Sequence, residues 1–292
     1  FVHLFKYDSV HGRFNGEVSH DHNSITINGK KIPVLQSSDP DELEWGPYKV
    51  DVLFECTGKF TDRAGASQHL AAGAKKVLIS APAKDDDATI VYGVNHKNLK
   101  PEDKIVSCGS CTTNCLAPVA HVLNNLCGIE SGFMTTIHAY TGDQNLHDGT
   151  HKDMQRARGA VMSMVPTSTG AAKAIGRVIP ELNGKLDGVA IRVPTANVSL
   201  VDLKFVPKNP TTVAEIQDAM RKAAKGELKG VLSVFDEPLV SIDFNHSPYS
   251  ANFALNEVKI TGNLVRVMAW YDNEWAFSIR MLDVATAMKR AG

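Results

Sequence analysis

The chain is poor in cysteine, and what it has is unevenly placed. Five cysteines, Cys56, Cys108, Cys111, Cys115 and Cys127, all fall in the first half. An odd number, with none beyond residue 127, is a poor disulfide framework and fits a reducing, cytoplasmic setting. There is no run of eighteen or so apolar residues, so nothing in the sequence suggests a membrane span. Charge of one sign is also missing: 31 basic and 32 acidic residues give a formal charge of −1, which removes any bulk electrostatic case for nucleic acid. The first residues, Phe1-Val2-His3-Leu4-Phe5-Lys6, lack a basic segment followed by an apolar one, so no secretory signal is read there. The glycine fingerprint Gly-x-Gly-x-x-Gly occurs nowhere, and neither do tight metal-ligand spacings or internal repeats.

What remains is an ordinary globular composition, 43% hydrophobic and 22% charged over 292 residues, enough for two cores. Up to about residue 110, short apolar runs alternate with helical patterns. Phe1, Leu4 and Phe5 have helical spacing. Ser24–Ile27 and Ile32–Leu35 flank Asn28-Gly29, a pair suited to a hairpin turn with positive φ, and Pro33 confines its strand to an edge. Val50–Cys56, Lys76–Ser80, Thr89–Tyr92 and Lys104–Ser107 read as strands, with a helix from Thr61 to Ala72 stopped by Gly73. That alternation implies an open parallel sheet, whose ligands sit beyond the strands' carboxyl ends, at Thr57, Gly58, Ser80 and Cys111. Ordinary turn chemistry explains Thr57-Gly58 and Ser80 equally well.

The second half is richer in β-branched runs: Met134–Ile137, Gly188–Pro194, Asn197–Val206, Val240–Phe244, Glu257–Thr261 and Leu264–Tyr271. The last two meet at Thr261-Gly262-Asn263 as a hairpin. Thr212 and Glu215 have capping-box spacing at a helix start. The pattern predicts an α+β domain with a mainly antiparallel sheet, and a terminal helix from Asn273 to Lys289 with Phe277, Met281, Leu282, Ala285 and Met288 on one side.

Chemistry concentrates at Ser110-Cys111-Thr112-Thr113-Asn114-Cys115. A strand enters this stretch, and Leu116, Val119, Val122, Leu123 and Leu126 carry a helix out of it, which puts Cys111 at a helix N-terminus. Free N–H groups and the helix dipole there favour a thiolate. A thiol of pKa about 8.5 is roughly 3% ionised at pH 7, and one lowered to about 6.5 roughly three-quarters. His138 lies at the end of a strand and would supply a base if the two strands are neighbours; burial without partnership is the simpler reading of spacing alone. Cys115, one turn beyond Cys111, reads as core-facing. Thr167-Ser168-Thr169-Gly170 precedes another helix, an anion site in chemical terms or a plain cap. Arg192 lies in the apolar run Val189–Pro194, where a guanidinium needs an anion or carboxylate. The long polar stretch from Gly142 to Met164 holds Asp143, His147, Asp148, His151, Arg156 and Arg158.

Ser110–Cys115, His138-Ala139-Tyr140-Thr141, Thr167–Lys173, Arg192-Val193-Pro194-Thr195 and Trp270-Tyr271-Asp272-Asn273-Glu274 together resemble phosphorylating glyceraldehyde-3-phosphate dehydrogenase of the bacterial type. The resemblance runs from the first residues to the last helix. It implies a Rossmann-like α/β dinucleotide-binding domain, residues 1–110 and 273–292, and an α+β catalytic domain, residues 111–272. It implies Cys111 as the nucleophile that adds to the aldehyde and His138 as its acid/base. A hemithioacetal would then lose hydride to NAD, and inorganic phosphate would cleave the resulting thioester. Thr141 and Arg192 would hold the substrate phosphate. Ser110, Thr112, Thr169 and Gly170 would shape the phosphate sites, with Arg156 or Arg158 assisting. Thr57, Gly58, Phe60, Ser80 and Asn273 would line the cofactor site. The long stretch resembles the family's S-loop, which reaches a neighbouring subunit's cofactor in a homotetramer.

Against the family pattern, the chain begins after the first βαβ region, so the residue that separates NAD from NADP is not in the sequence and NADP stays open. A start other than Met points to a longer product. Cys108-Gly109 stands where Asn-Ala is usual and Ala276 where Gly is usual. Cys108 would bring a second thiol within reach of adventitious disulfides. The rival readings are a sibling oxidising erythrose 4-phosphate, from which the intact Thr169–Lys173 segment departs, and an inactive binding protein.

Overall fold

A computed structural model describes all residues 1–292. The chain opens with helix α1 (Val2–Lys6) and two short antiparallel strands, β1 (Tyr7–Asp8) and β2 (Gly12–Arg13). A small antiparallel sheet follows: β3 (Val18–His20), β4 (Ser24–Ile27) and β5 (Lys30–Pro33). Asn28 and Gly29 both take positive φ, 47° and 79°, which is what a two-residue hairpin loop requires, and Pro33 closes the outer strand.

Next comes a parallel sheet of four strands, β6 (Val52–Glu55), β7 (Lys76–Ile79), β8 (Ala88–Thr89) and β9 (Ile105–Ser107), in the order β6-β7-β9-β8. Helix α2 (Arg63–Ala71) lies between β6 and β7, started by the Asp62 side chain, which accepts from Gly65 N–H at 2.8 Å. The strand expected over Thr89–Tyr92 ends at Thr89: Ile90 and Val91 are buried, but the Asn95 side chain takes the Val91 N–H and donates to the Thr89 carbonyl, bending the backbone out of the ladder.

Helix α3 (Cys111–Cys127) leaves β9 through Gly109, at φ 67°. Then follow β10 (Ile129–Ala139), β11 (Val165–Ser168), α4 (Ala171–Val178), β12 (Leu186–Val193), β13 (Ser199–Pro207), α5 (Val213–Lys225), β14 (Leu232–Phe235), β15 (Ala251–Ala254), β16 (Lys259–Thr261) and β17 (Leu264–Tyr271). They form an eight-stranded sheet in the order β11-β12-β10-β13-β17-β15-β14, with β16 on β17. Five of its pairings are antiparallel; β10 with β12 and β14 with β15 are parallel. The sheet is thus mainly antiparallel, as expected, but β11, β14 and β15 were not foreseen. Each is only four residues long, too short for a period-2 pattern to stand out.

Val240–Phe244 is a further correction. It forms a 3-10 turn (Ser241–Phe244) in place of a strand, because the Asp243 carboxylate reaches back to the Val240 N–H at 2.8 Å. The Thr212/Glu215 capping box is present at the start of α5.

Helices α3, α4 and α5 cover one face of the large sheet in a single core that includes Leu116, Leu123, Ile175, Phe205, Ile216 and Phe253. Cys115 is fully buried in it. Truncating one such Leu to Ala costs about 2–5 kcal/mol. The last helix, α6 (Trp275–Ala291), packs Met281, Val284 and Met288 against Leu78, Ile90, Val106 and Cys108 of the parallel sheet. Leu282, expected on that face, is exposed. Cys108 has no exposed surface, and burial pushes its thiol up to about 12, so the reactive extra thiol expected there is sealed in the core. All five cysteines are free. No helix is long and apolar enough to cross a membrane.

Candidate active site

Cys111 is the first residue of α3. Ser110 caps the helix, its Oγ accepting from Thr113 N–H at 3.0 Å. His138 is the last residue but one of β10, and its Nε2 lies 3.5 Å from Cys111 Sγ. The two meet because β9 delivers α3 to the end of the large sheet where β10 terminates. Tyr271, fully buried at the end of β17, ties the two elements together: its hydroxyl lies 2.8 Å from Thr112 Oγ1 on α3 and 2.8 Å from Thr136 Oγ1 on β10. Its ring meets the His138 imidazole edge-on at 6.0 Å.

His138 Nδ1–H donates to the carbonyl of Ala139 at 2.7 Å. The Ala139 carbonyl can only accept, so the shorter contact calls for a proton on Nδ1 and a lone pair on Nε2, facing the sulfur, although Arg192 Nη1 also approaches Nδ1 at 3.0 Å. Burial, and then the Arg192 charge, push the imidazole down to about 4. Burial also pushes the Cys111 thiol up, against the opposing pull of Thr112 and Arg192. Desolvation thus favours a neutral thiol facing a neutral imidazole, while the helix terminus, Thr112 and Arg192 favour the thiolate.

Arg192 lies directly across from His138 on the parallel neighbour β12. Its Nη1 donates to Ala139 O at 3.1 Å and to Thr141 Oγ1 at 3.3 Å, while its buried Nε has no partner in the chain. Arg156 approaches from the long loop, donating from Nε to Thr167 Oγ1 at 3.0 Å and pairing with Asp143. Its charge is felt by both His138 and Arg192. Arg192, Arg156 and Thr141 thus gather near the Cys–His pair, with the Arg156 charge shared by Asp143 and Asp153. Arg158 does not belong to this group: 68% exposed, it pairs with Asp148 at 2.9 Å. The Thr112 hydroxyl lies between Tyr271 OH, at 2.8 Å, and the Cys111 thiol, whose ionised form it favours. Thr169 Oγ1 accepts from Ala171 N–H at 3.2 Å, and Gly170 opens α4 with nothing within 4 Å of where a Cβ would stand.

At the parallel sheet, Glu55 ends β6, buried, with one oxygen accepting from both the N–H and the hydroxyl of Thr57 and the other 3.0 Å from His69 Nε2. This holds the Thr57-Gly58 turn, in which Gly58 takes φ 72°. Phe60 packs edge-on against His69, and Ser80 follows β7 beside Cys56. Asn273 is buried at the junction of β17 and α6 and accepts at Oδ1 from Ser199 Oγ at 2.8 Å. Its Nδ2 makes no hydrogen bond within the chain. An open turn at Gly58 and a free amide donor at Asn273 fit a dinucleotide laid across the carboxyl ends of the strands.

Tyr271, Ser199 and the Glu55–His69 pair were missed in the sequence. Only Glu55 carried a signal, a carboxylate closing an otherwise apolar strand. No group of three or more metal-ligating side chains is present.

A helix-borne thiol facing a strand-borne imidazole, with two guanidiniums beside it and a parallel sheet edge behind it, is the equipment of a cysteine-dependent enzyme. Comparison with known proteins narrows this. Residues 1–63 match the NAD binding domain, and residues 110–273 the C-terminal domain, of glyceraldehyde 3-phosphate dehydrogenase. Glyceraldehyde-3-phosphate dehydrogenase of Xanthobacter flavus is 59% identical over all of this chain and 87% of its own length. The plasmid-encoded enzyme of Cupriavidus necator is 58% identical over 99% of this chain and 87% of its own length. That of Pseudomonas aeruginosa is 57% identical over 99% and 86%. The chain belongs to the glyceraldehyde-3-phosphate dehydrogenase family, and NAD is its cofactor.

Proposed function

We propose that the chain oxidises glyceraldehyde 3-phosphate, with NAD and inorganic phosphate, to 1,3-bisphosphoglycerate, as the glycolytic enzyme does. The observation that carries the chemistry is the 3.5 Å approach of Cys111 Sγ to His138 Nε2. His138 takes the Cys111 proton as the sulfur adds to the aldehyde carbon and returns it to the carbonyl oxygen, forming a hemithioacetal and leaving the imidazole neutral. NAD, when bound, accepts the hydride that leaves this carbon. His138 takes the hydroxyl proton in that step, and the product is a thioester on Cys111. A phosphate oxygen then attacks the acyl carbon, the carbon–sulfur bond breaks, and the sulfur regains a proton.

Arg192 and Thr141 hold the substrate phosphate, and the unpartnered Arg192 Nε is the donor left for it. Arg156, with Thr169 and Gly170 at the start of α4, receives the attacking phosphate. Ser110 and Thr112 contribute through the helix terminus they stabilise. Asn273 donates to the nicotinamide carboxamide, while Thr57, Gly58, Phe60 and Ser80 line the rest of the cofactor site. Residues 1–110 with 273–292 form the dinucleotide-binding domain and residues 111–272 the catalytic domain, a division supported by the packing of α6 on the parallel sheet. A homotetramer is supported by the exposed Leu146, Met154, Met162 and Met164 of the long loop, and a cytoplasmic setting by five free cysteines.

The test is NADH formation from glyceraldehyde 3-phosphate, NAD and phosphate. Cys111→Ser should abolish it, and omitting phosphate should reduce it to a burst. Faster turnover of erythrose 4-phosphate without phosphate would reject this substrate.

A further inference from the structure

Asn273 ends in a carboxamide whose two ends are opposite in hydrogen-bonding character, so its value as a ligand contact depends on which end faces the site. Ser199, the first residue of β13 and buried, decides this. Its Oγ accepts from the Ala139 N–H at 3.0 Å and donates to Asn273 Oδ1 at 2.8 Å. The backbone N–H can only donate, so it occupies a lone pair of the hydroxyl and leaves the hydroxyl proton for an acceptor. Asn273 Oδ1 is that acceptor. A flipped amide would give Ser199 two donors and strand its own proton in a buried place.

We propose that Ser199 is a positioning residue for the cofactor: it locks the Asn273 amide with Nδ2 toward the site, so that the site receives a hydrogen-bond donor and selects a ligand carbonyl there. The same hydroxyl ties this anchor to the strand end that carries His138, because Ala139 also receives the His138 Nδ1–H at its carbonyl. One side chain thereby registers the cofactor anchor against the acid/base group. Neighbouring Asp272 fixes the backbone of the corner, accepting from the N–H groups of His246, Glu274 and Trp275, but it does not touch the amide. The polarity of the amide is left to Ser199. This inference rests on the reading of Asn273 as a cofactor contact.

The experiment is a double-mutant cycle on NAD affinity, measured by calorimetric titration of the full chain with Ser199→Ala, Asn273→Ala and the double variant. Ser199→Ala should weaken NAD about tenfold, the equivalent of one hydrogen bond. In the Asn273→Ala background the same change should have less than about a twofold effect, because the group it acts through is gone. Ser199→Thr and Ser199→Val, alike in shape and different in the hydroxyl, keep the test valid if the alanine variant folds poorly. Thr should retain NAD affinity and Val should lose it. Equal affinity in Thr and Val, or losses that simply add in the cycle, would overturn the proposal. Unchanged NAD affinity in Asn273→Ala would overturn the reading of Asn273 itself, and the proposal with it.

Discussion

His138 offers a test in which two accounts of the resting site predict opposite signs. Its imidazole titrates at about 4 in the folded protein against a reference of 6.5, through burial first and the Arg192 charge second. A histidine lowered in this way binds fewer protons folded than unfolded throughout that window, so stability is full above pH 6.5 and falls as pH drops toward 4. The total is about 3 kcal/mol, of which about 2 kcal/mol is gone by pH 5. His138→Gln keeps polar bulk but cannot titrate. Urea unfolding at pH 7.5 and pH 5 should then show the unsubstituted protein losing about 2 kcal/mol more than the variant between the two conditions. A preformed thiolate–imidazolium pair would raise the histidine instead. The unsubstituted protein would then hold its stability better than the variant on acidification, and that outcome would refute the neutral-pair account.

Two further predictions concern packing around the site. Arg177 on α4 donates to the Asp86 carboxylate, whose side chain has no exposed surface, and to the Ala83 carbonyl at 3.1 Å, joining α4 to the loop after β7. Asp86→Asn should lower stability by about 1–3 kcal/mol in urea titration, with Cys111 alkylation unchanged. Thiol labelling of the native protein should modify Cys111 and Cys56 and leave Cys108, Cys115 and Cys127 unmodified until denaturant is added, because those three are buried.

Local signals carried well from sequence to structure. Cys111 at the start of α3, the Asn28-Gly29 hairpin and the Thr212/Glu215 capping box all depend on interactions within a few residues. What failed to read through was set by distant partners. Arg156 and Arg158 are two positions apart and chemically identical, and only the fold sends one to Thr167 and the other to Asp148. Val240–Phe244 has strand composition, but one carboxylate turns its backbone. The contact of Thr112 with Tyr271, 159 residues away, could not be read from the sequence either. Helix position alone suggested an ionised thiol, whereas desolvation, invisible in one dimension, pulls the other way.

The central claim, that Cys111 carries the substrate's acyl group, is open to direct measurement. Mixing the protein with glyceraldehyde 3-phosphate and NAD without phosphate, quenching in acid and sequencing peptides by mass spectrometry should find one acyl adduct, on Cys111. Adding phosphate before the quench should remove it. An adduct on another cysteine, or NADH formed with Cys111 unmodified, would contradict the account.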